Sequence, residues 1–151
     1  VCNDQGYTAL MKAATDSSPG VVQVLVGAGA NINAMNTAEH NALMQVILNG
    51  RLPRAQQFAR QLQSSLVVMK KLSDLYATKE SHAEYAGIKS GTEKDKAQAI
   101  QTATMQDTAV IKVLLAAGID LNATDKKGQT ALQMAQATHH TDIINLLKQA
   151  K

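Results

Sequence analysis

The sequence predicts an all-α solenoid in which short helix pairs stack side by side, and three observations carry that expectation. Val21-Val22-Gln23-Val24-Leu25-Val26-Gly27-Ala28-Gly29-Ala30-Asn31-Ile32-Asn33-Ala34 aligns position for position with the run from Val110 to Ala123. Ahead of the first copy, Gly6-Tyr7-Thr8-Ala9-Leu10-Met11 matches Gly128-Gln129-Thr130-Ala131-Leu132-Gln133. Asn41-Ala42-Leu43-Met44 follows Thr8-Ala9-Leu10-Met11 by a step of 33 residues, and a fixed step of that size is the signature of a repeat array.

Within a copy, the residue types say what each stretch does. Val110, Ile111, Leu114 and Leu115 recur at helical spacing, and Gly118 stands where a left-handed residue commonly closes a helix. Asp125-Lys126-Lys127-Gly128 is turn chemistry, because Asp accepts backbone hydrogen bonds and Gly takes a positive φ without steric cost. Thr130 then opens the next helix. These residues resemble the ankyrin repeat. Both its turn-Gly-x-Thr-Ala-Leu start and its Leu-x-x-Ala-Gly-Ala-Asn-Ile-Asn-Ala finish are present. The resemblance implies a β-turn and two antiparallel helices per repeat, with residues 1–151 forming a single ankyrin-repeat domain.

The first repeat spans residues 3–34. Asn3 takes the place of Asp125, Gly6 makes the turn, and Thr8 starts a helix with Leu10, Ala13 and Ala14 on its packing side. In Ser17-Ser18-Pro19-Gly20 a serine can cap the next helix and Pro19 fits its first turn. The second repeat begins at Asn36, where Glu39 occupies the glycine position of the turn and leaves the turn geometry open. Ala42, Leu43, Val46 and Ile47 form its first helix, which Asn49-Gly50 ends.

The middle is atypical. From Arg54 to Ala86 there is no Gly or Pro, and Ala55, Phe58, Ala59, Leu62, Leu66, Met69, Leu72 and Tyr76 recur every three or four residues. A helix of about 23 to 30 residues is about 35 to 45 Å long, far more than a repeat needs. Gly87-Ile88-Lys89-Ser90-Gly91 is expected to break it, and Thr92-Glu93-Lys94-Asp95 to start another helix. Asn41 and Thr130 lie 89 residues apart, which exceeds two repeats by 23. This favours four repeats, at 3–34, 36–91 with an extended helix and loop, 92–124 in degenerate form with a turn at Asp107-Thr108, and 125–151, over three repeats with one long insertion. In the last, Gln133 and Gln136 replace Met11 and Ala14, as a terminal repeat with a solvated outer face requires.

Composition narrows the function. Phe58 and three Tyr are the only aromatics, so the core is built of Leu, Val, Ile, Ala and Met, and one cysteine, Cys2, excludes an internal disulfide and a multi-cysteine zinc site. No apolar run is long enough for a membrane helix, and no signal peptide is visible, so the expected partner is not a membrane. The abrupt start at Val1-Cys2 is read as a boundary with a segment removed upstream. On that reading the periplasm is slightly favoured over the cytoplasm. The net charge of +3 lies entirely in residues 51–107, which hold nine Lys or Arg against six Asp or Glu. A solvated helix face explains this better than a nucleic-acid surface.

No catalytic pattern stands up. There is no phosphate loop, dinucleotide fingerprint or nucleophile elbow. His139 and His140 are adjacent, so their side chains diverge and cannot chelate as an i, i+4 pair would. His82-Ala83-Glu84 lacks the Pro-Cys-x-x-Cys that a deaminase needs. Neither a metal nor a cofactor is expected, and the chain is read as a non-enzyme.

The resemblance implies binding instead. Carried over residue by residue, the family's contact positions are Asp4, Gln5, Tyr7, Thr15 and Asp16 in the first copy, Thr37, Ala38, His40, Leu48 and Asn49 in the second, and Lys126, Lys127, Gln129, Ala137 and Thr138 in the last. Tyr7 is the expected anchor, since Tyr offers large contact area at small entropic cost. The long helix is the second candidate surface. Arg54, Arg60, Lys70 and Lys71, with Tyr76, give it a basic character suited to an acidic groove, for example on an enzyme. A bacterial protein acting as an inhibitor or immunity partner is one expectation, and an adaptor that tethers without inhibiting is the other. On its own the chain is expected to be a monomer.

Overall fold

The computed structural model describes residues 2–16, 19–76 and 79–150, and the side chains of all of these except 72, 73, 75, 76, 79–88 and 90. Among the described residues the helices are α1 (Ala9–Asp16), α2 (Pro19–Gly27), α3 (Ala42–Asn49), α4 (Arg51–Tyr76), α5 (Lys79–Ala116), α6 (Ala131–Ala137) and α7 (Thr141–Gln149). The chain divides into two units, Val1–Pro53 with Thr104–Lys151, and Arg54–Ala103.

In the first unit the elements recur because the same local chemistry recurs. Asn3 Oδ1 accepts hydrogen bonds from the amides of Gln5 (3.0 Å) and Tyr7 (2.9 Å). Asn36 Oδ1 does the same for Ala38 and His40, both at 2.9 Å, and Asp125 Oδ1 for Lys127 and Gln129, both at 2.8 Å. Each turn is closed by an amide three residues on, from Gly6, Glu39 or Gly128, all with positive φ. Glu39 therefore keeps the turn geometry at φ 60° although it is not glycine. Three turns of this construction occur among the described residues.

Helix ends recur too. Gly29 (φ 81°) and Gly118 (φ 82°) close α2 and α5 in the left-handed conformation, with Ala30 N donating to Leu25 O and Ile119 N to Leu114 O. His139 does this for α6 at φ 57°, with His140 N donating to Ala135 O. Asn41 caps α3 by accepting from Met44 N, and Thr130 caps α6 in a reciprocal box with Gln133. The capping serine expected before α2 lies outside the described residues.

The helices stack through their first members. α1 packs on α2 and α3, α3 on α6, and α6 on α7. Leu10, Met11, Leu43, Met44, Val46 and Ile47 are buried along this row, and Val22, Ile111, Leu114, Ile143 and Leu147 behind it. Burial of each such aliphatic side chain contributes about 1.5–3 kcal/mol. Thr37 N donates to Gln5 O at 3.0 Å, and Asp120 N to Asn33 Oδ1 at 2.8 Å, so turns and loops are tied as well as helices.

The middle departs from expectation. α5 is one unbroken helix of 38 residues, so neither the break at Gly87–Gly91 nor the fresh start at Thr92 occurs. Asp107-Thr108 is likewise helix, not a turn. Two glycines cost only about 1 kcal/mol each in a helix interior, a small sum against a helix of 38 residues. α4 has 26 residues, within the expected range, and Pro53 is tolerated in its first turn. In the second unit Ala59, Leu66 and Ala103 are buried, and Lys96 Nζ donates to Gln63 Oε1 at 2.8 Å, joining α5 to α4.

Candidate functional site

Two surfaces hold the candidate residues. The first is made by the turns and the start of α1, α3 and α6. Asp4, Gln5, Thr37, Lys126, Lys127 and Gln129 are exposed on the turns, and Asn49 is exposed at the end of α3. Tyr7 is only half-exposed. Its hydroxyl donates to Gln45 Oε1 at 2.9 Å, which ties its far end into the fold.

Gln45 is the residue that sequence reasoning missed. It is 1% exposed, and its amide meets three neighbours. Oε1 accepts from Tyr7 and from Asn49 Nδ2 (3.0 Å), while Nε2 faces His40 Nδ1 at 3.1 Å. With Gln45 donating there, the neutral His40 ring carries its proton on Nε2, which lies 3.8 Å from Asp125 Oδ2. Tyr7, Gln45, His40 and Asp125 thus form a polar row across the three turns. The Gln45 position in the first copy is Lys12, a residue no burial pattern would flag.

Thr15 and Thr138 are less exposed than the turn residues, Thr15 being buried and Thr138 half-buried. Thr15 is buried, with its hydroxyl donating to the Met11 and Lys12 carbonyls, and Thr138 Oγ1 donates to Met134 O at 2.9 Å. Both are short hydroxyl side chains that turn back on their own helix. Asp16 pairs with Lys12, and its carbonyl accepts from an Arg51 guanidinium nitrogen at 2.6 Å.

The second surface belongs to α4. From Arg51 to Ser73 it carries five cations and no carboxylate. Arg54, Arg60, Lys70 and Lys71 are all exposed, and Lys70 pairs with Asp74 at 2.6 Å. Phe58, Val67, Val68 and Met69 are exposed among them. The Tyr76 side chain lies outside the described residues.

Two titratable groups among the described residues are displaced from their ordinary values. The Gln129 amide bonded to the Asp125 carboxylate holds its pKa below the usual carboxylate value. Burial pushes the His140 ring below the ordinary imidazole value of 6.5. His140 is buried with Nδ1 at 3.2 Å from Thr138 Oγ1, while His139 is exposed, so the two rings part company. No group of three metal-ligating side chains occurs among the described residues, and no helix there is long and apolar enough to cross a membrane. An open groove of about 510 Å³ lies between α2 and α5, lined by Gln23, Val26, Gly27, Lys112, Val113, Ala116 and Ala117. Its small residues make room, but its walls hold no catalytic pair.

Comparison with known proteins accords with this geometry. The family described as ankyrin repeats (many copies) matches residues 98–147, and the ankyrin repeat matches residues 5–37. No curated protein matches the chain. Among solved structures, an ankyrin repeat domain from Acinetobacter baumannii superposes with a TM-score of 0.59 at 24% identity, over 98% of this chain and 50% of that one. The chain spans about half the length of that structure.

Proposed function

The chain belongs to the ankyrin-repeat family, a protein–protein interaction fold, and on that premise we propose that it is a non-enzymatic bacterial protein whose partner presents an acidic groove to α4. The observation that carries this reading is the composition of α4, five cations against the single carboxylate of Asp74, beside exposed Phe58, Val67, Val68 and Met69. Apolar anchors among like charges suit a complementary surface, with charge steering the encounter and burial supplying the affinity. A stacked array needs no such helix. We read the chain as three repeats, in which α4 and most of α5 are inserted between α3 and the last turns of α5. The reading is supported by the three matching turns and by the packing of α3 directly on α6.

The sharper form of the proposal is an inhibitor or immunity partner of an enzyme of the same cell. A tethering adaptor is the alternative, and the exposed turn residues Asp4, Gln5, Thr37, Lys126, Lys127 and Gln129 favour it as a binding face independent of α4. One experiment separates them. The chain and its Arg54→Glu/Arg60→Glu/Lys71→Glu variant are used to capture partners from the native lysate, and the retained enzyme is assayed. Capture of one enzyme, silenced by the chain and missed by the variant, supports the inhibitor reading. Equal capture by both, with activity intact, supports the adaptor.

A further inference from the structure

The row from Tyr7 to Asp125 contains one ring that can change its charge and one amide that can be turned round. His40 is the ring, and 19% of its side chain is exposed, so water reaches it. Its Nδ1 faces Gln45 Nε2 at 3.1 Å, and its Nε2 faces Asp125 Oδ2 at 3.8 Å. Histidine side chains take up a proton between about pH 8 and about pH 5. In the neutral ring Nδ1 is the acceptor, so the proton arrives on the nitrogen to which Gln45 donates. Two donors would then face each other at 3.1 Å.

A half-turn of the Gln45 carboxamide removes the conflict. Oε1 then accepts from the charged ring, and the two Nε2 hydrogens point at the groups that Oε1 serves in the neutral row, Tyr7 Oη and the Asn49 amide. A hydroxyl oxygen can accept where it donated, and Asn49, exposed at the end of α3, can turn its own amide to offer Oδ1. Tyr7, Gln45, His40 and Asn49 are thus paired in both arrangements, and the proton reverses the hydrogen bonds without disturbing the packing. Asp125, from the turn before α6, supplies the counter-charge. The Gln129 amide holds it as a carboxylate, and Lys127 lies beside it. Glu39 adjoins His40 on its own turn, and the Tyr7 phenol stands on the α1 side, beyond Gln45.

We propose that Tyr7, Gln45 and His40 form a hydrogen-bond switch in the turn face: a proton on His40 Nδ1 reverses the Gln45 amide and releases the Tyr7 O–H from the fold. At neutral pH the half-exposed phenol offers a partner only an acceptor oxygen, because its hydrogen is spent on Gln45. In acid it offers the hydrogen, which suits a partner that sets a carboxylate or carbonyl oxygen against Tyr7. The switch belongs to the turns and does not depend on what α4 binds.

The test is an NMR titration of the whole chain, without a partner, from about pH 8 to about pH 5. Long-range nitrogen correlations should place the His40 proton on Nε2 at the start. As His40 titrates, the Gln45 side-chain amide and the Tyr7 Cζ resonance should move with the same midpoint. Both movements should be lost in His40→Asn and kept in His140→Asn, which removes the other buried ring. In Gln45→Met, His40 should still titrate while Tyr7 stays still; dispersed backbone spectra show that each variant folds. The proposal is overturned if Gln45 and Tyr7 stay still in the unaltered chain while His40 titrates, or if the neutral ring carries its proton on Nδ1. It is overturned equally if the movements survive His40→Asn or vanish in His140→Asn.

Discussion

The carboxylate of Asp107, deep in α5, caps the first turn of α4: Oδ2 accepts from the Leu52 amide at 2.7 Å and Oδ1 from the Arg51 amide at 3.0 Å. The contact joins residues 55 apart in sequence, and Asp107 is fully buried. An N-terminus of a helix presents unsatisfied amides and partial positive charge, so a buried carboxylate there is held by both. Asp107→Ala strands two amides and should destabilise the fold by about 2–4 kcal/mol, with faster hydrogen exchange at the start of α4. Asp107→Asn keeps the acceptor and should cost less than half as much in a urea melt.

Gly50 lies against this cap. A Cβ there would fall on the Val46 carbonyl oxygen and 2.6 Å from Asp107 Oδ2. Gly50→Ala should therefore cost about 1–3 kcal/mol by overpacking, measured as a lower urea midpoint with an unchanged slope.

Glu39 is left-handed at φ 60°, where Gly6 and Gly128 occupy the equivalent turns. A non-glycine residue there is disfavoured by about 1 kcal/mol, partly offset by the greater backbone freedom of glycine when unfolded. Glu39→Gly should raise Tm by about 1–3 °C. Gly6→Ala should lower it, since φ is +73° and the new Cβ would lie 3.0 Å from Asn36 Cα.

Tyr7 and Gln45 should prove coupled. Tyr7→Phe removes a donor and should cost about 0.5–1.5 kcal/mol, whereas Gln45→Ala leaves several partners unpaired and should cost about 1–3 kcal/mol. The double variant should cost less than the sum, because both changes remove the same 2.9 Å bond. Full additivity in denaturant titrations would show the bond to be energetically silent.

Acid should weaken the fold in two stages. His140 stays neutral when buried, so as pH falls through the ordinary value of 6.5 the unfolded chain takes up a proton before the folded one does. Stability therefore declines below that pH and levels off once the folded ring also titrates. Asp125 acts lower down. Its lowered pKa adds stability above the ordinary value of 3.8, lost as pH falls through the folded value. Urea melts between pH 7.5 and 4 should show the first decline, and His140→Asn should flatten it.

The repeat array was legible because its signals are local. Asn3 and Gly6, or Asp125 and Gly128, act within a single turn, and the glycine stops at Gly29 and Gly118 are one residue deep. The long helices were legible as periodicity but not in their limits. Gly87 and Gly91 look like a stop, yet a cost of about 1 kcal/mol per glycine does not end a helix of 38 residues. Asp107 and Gln45 were illegible because their contacts are not local. Their partners Leu52 and Tyr7 lie 55 and 38 residues away, and only the fold brings them together. Thr15 was expected at the contact surface because its position fits, but position says nothing of burial or of where a short hydroxyl turns.

The unbroken course of α5 sets a rule for how this chain can vary. Ala103 and Thr104 are neighbours in one helix although they close and open different units. Each residue inserted or deleted within α5 would turn the side chains after it by about 100° around the helix axis and shift them by about 1.5 Å. Length changes within this helix are therefore admissible in steps of about seven, two helical turns, which restore the phase to within about 20°. Relatives of this chain should differ in the length of α5 by such quanta, balanced in α4, and not by the single residues that an ordinary surface loop absorbs.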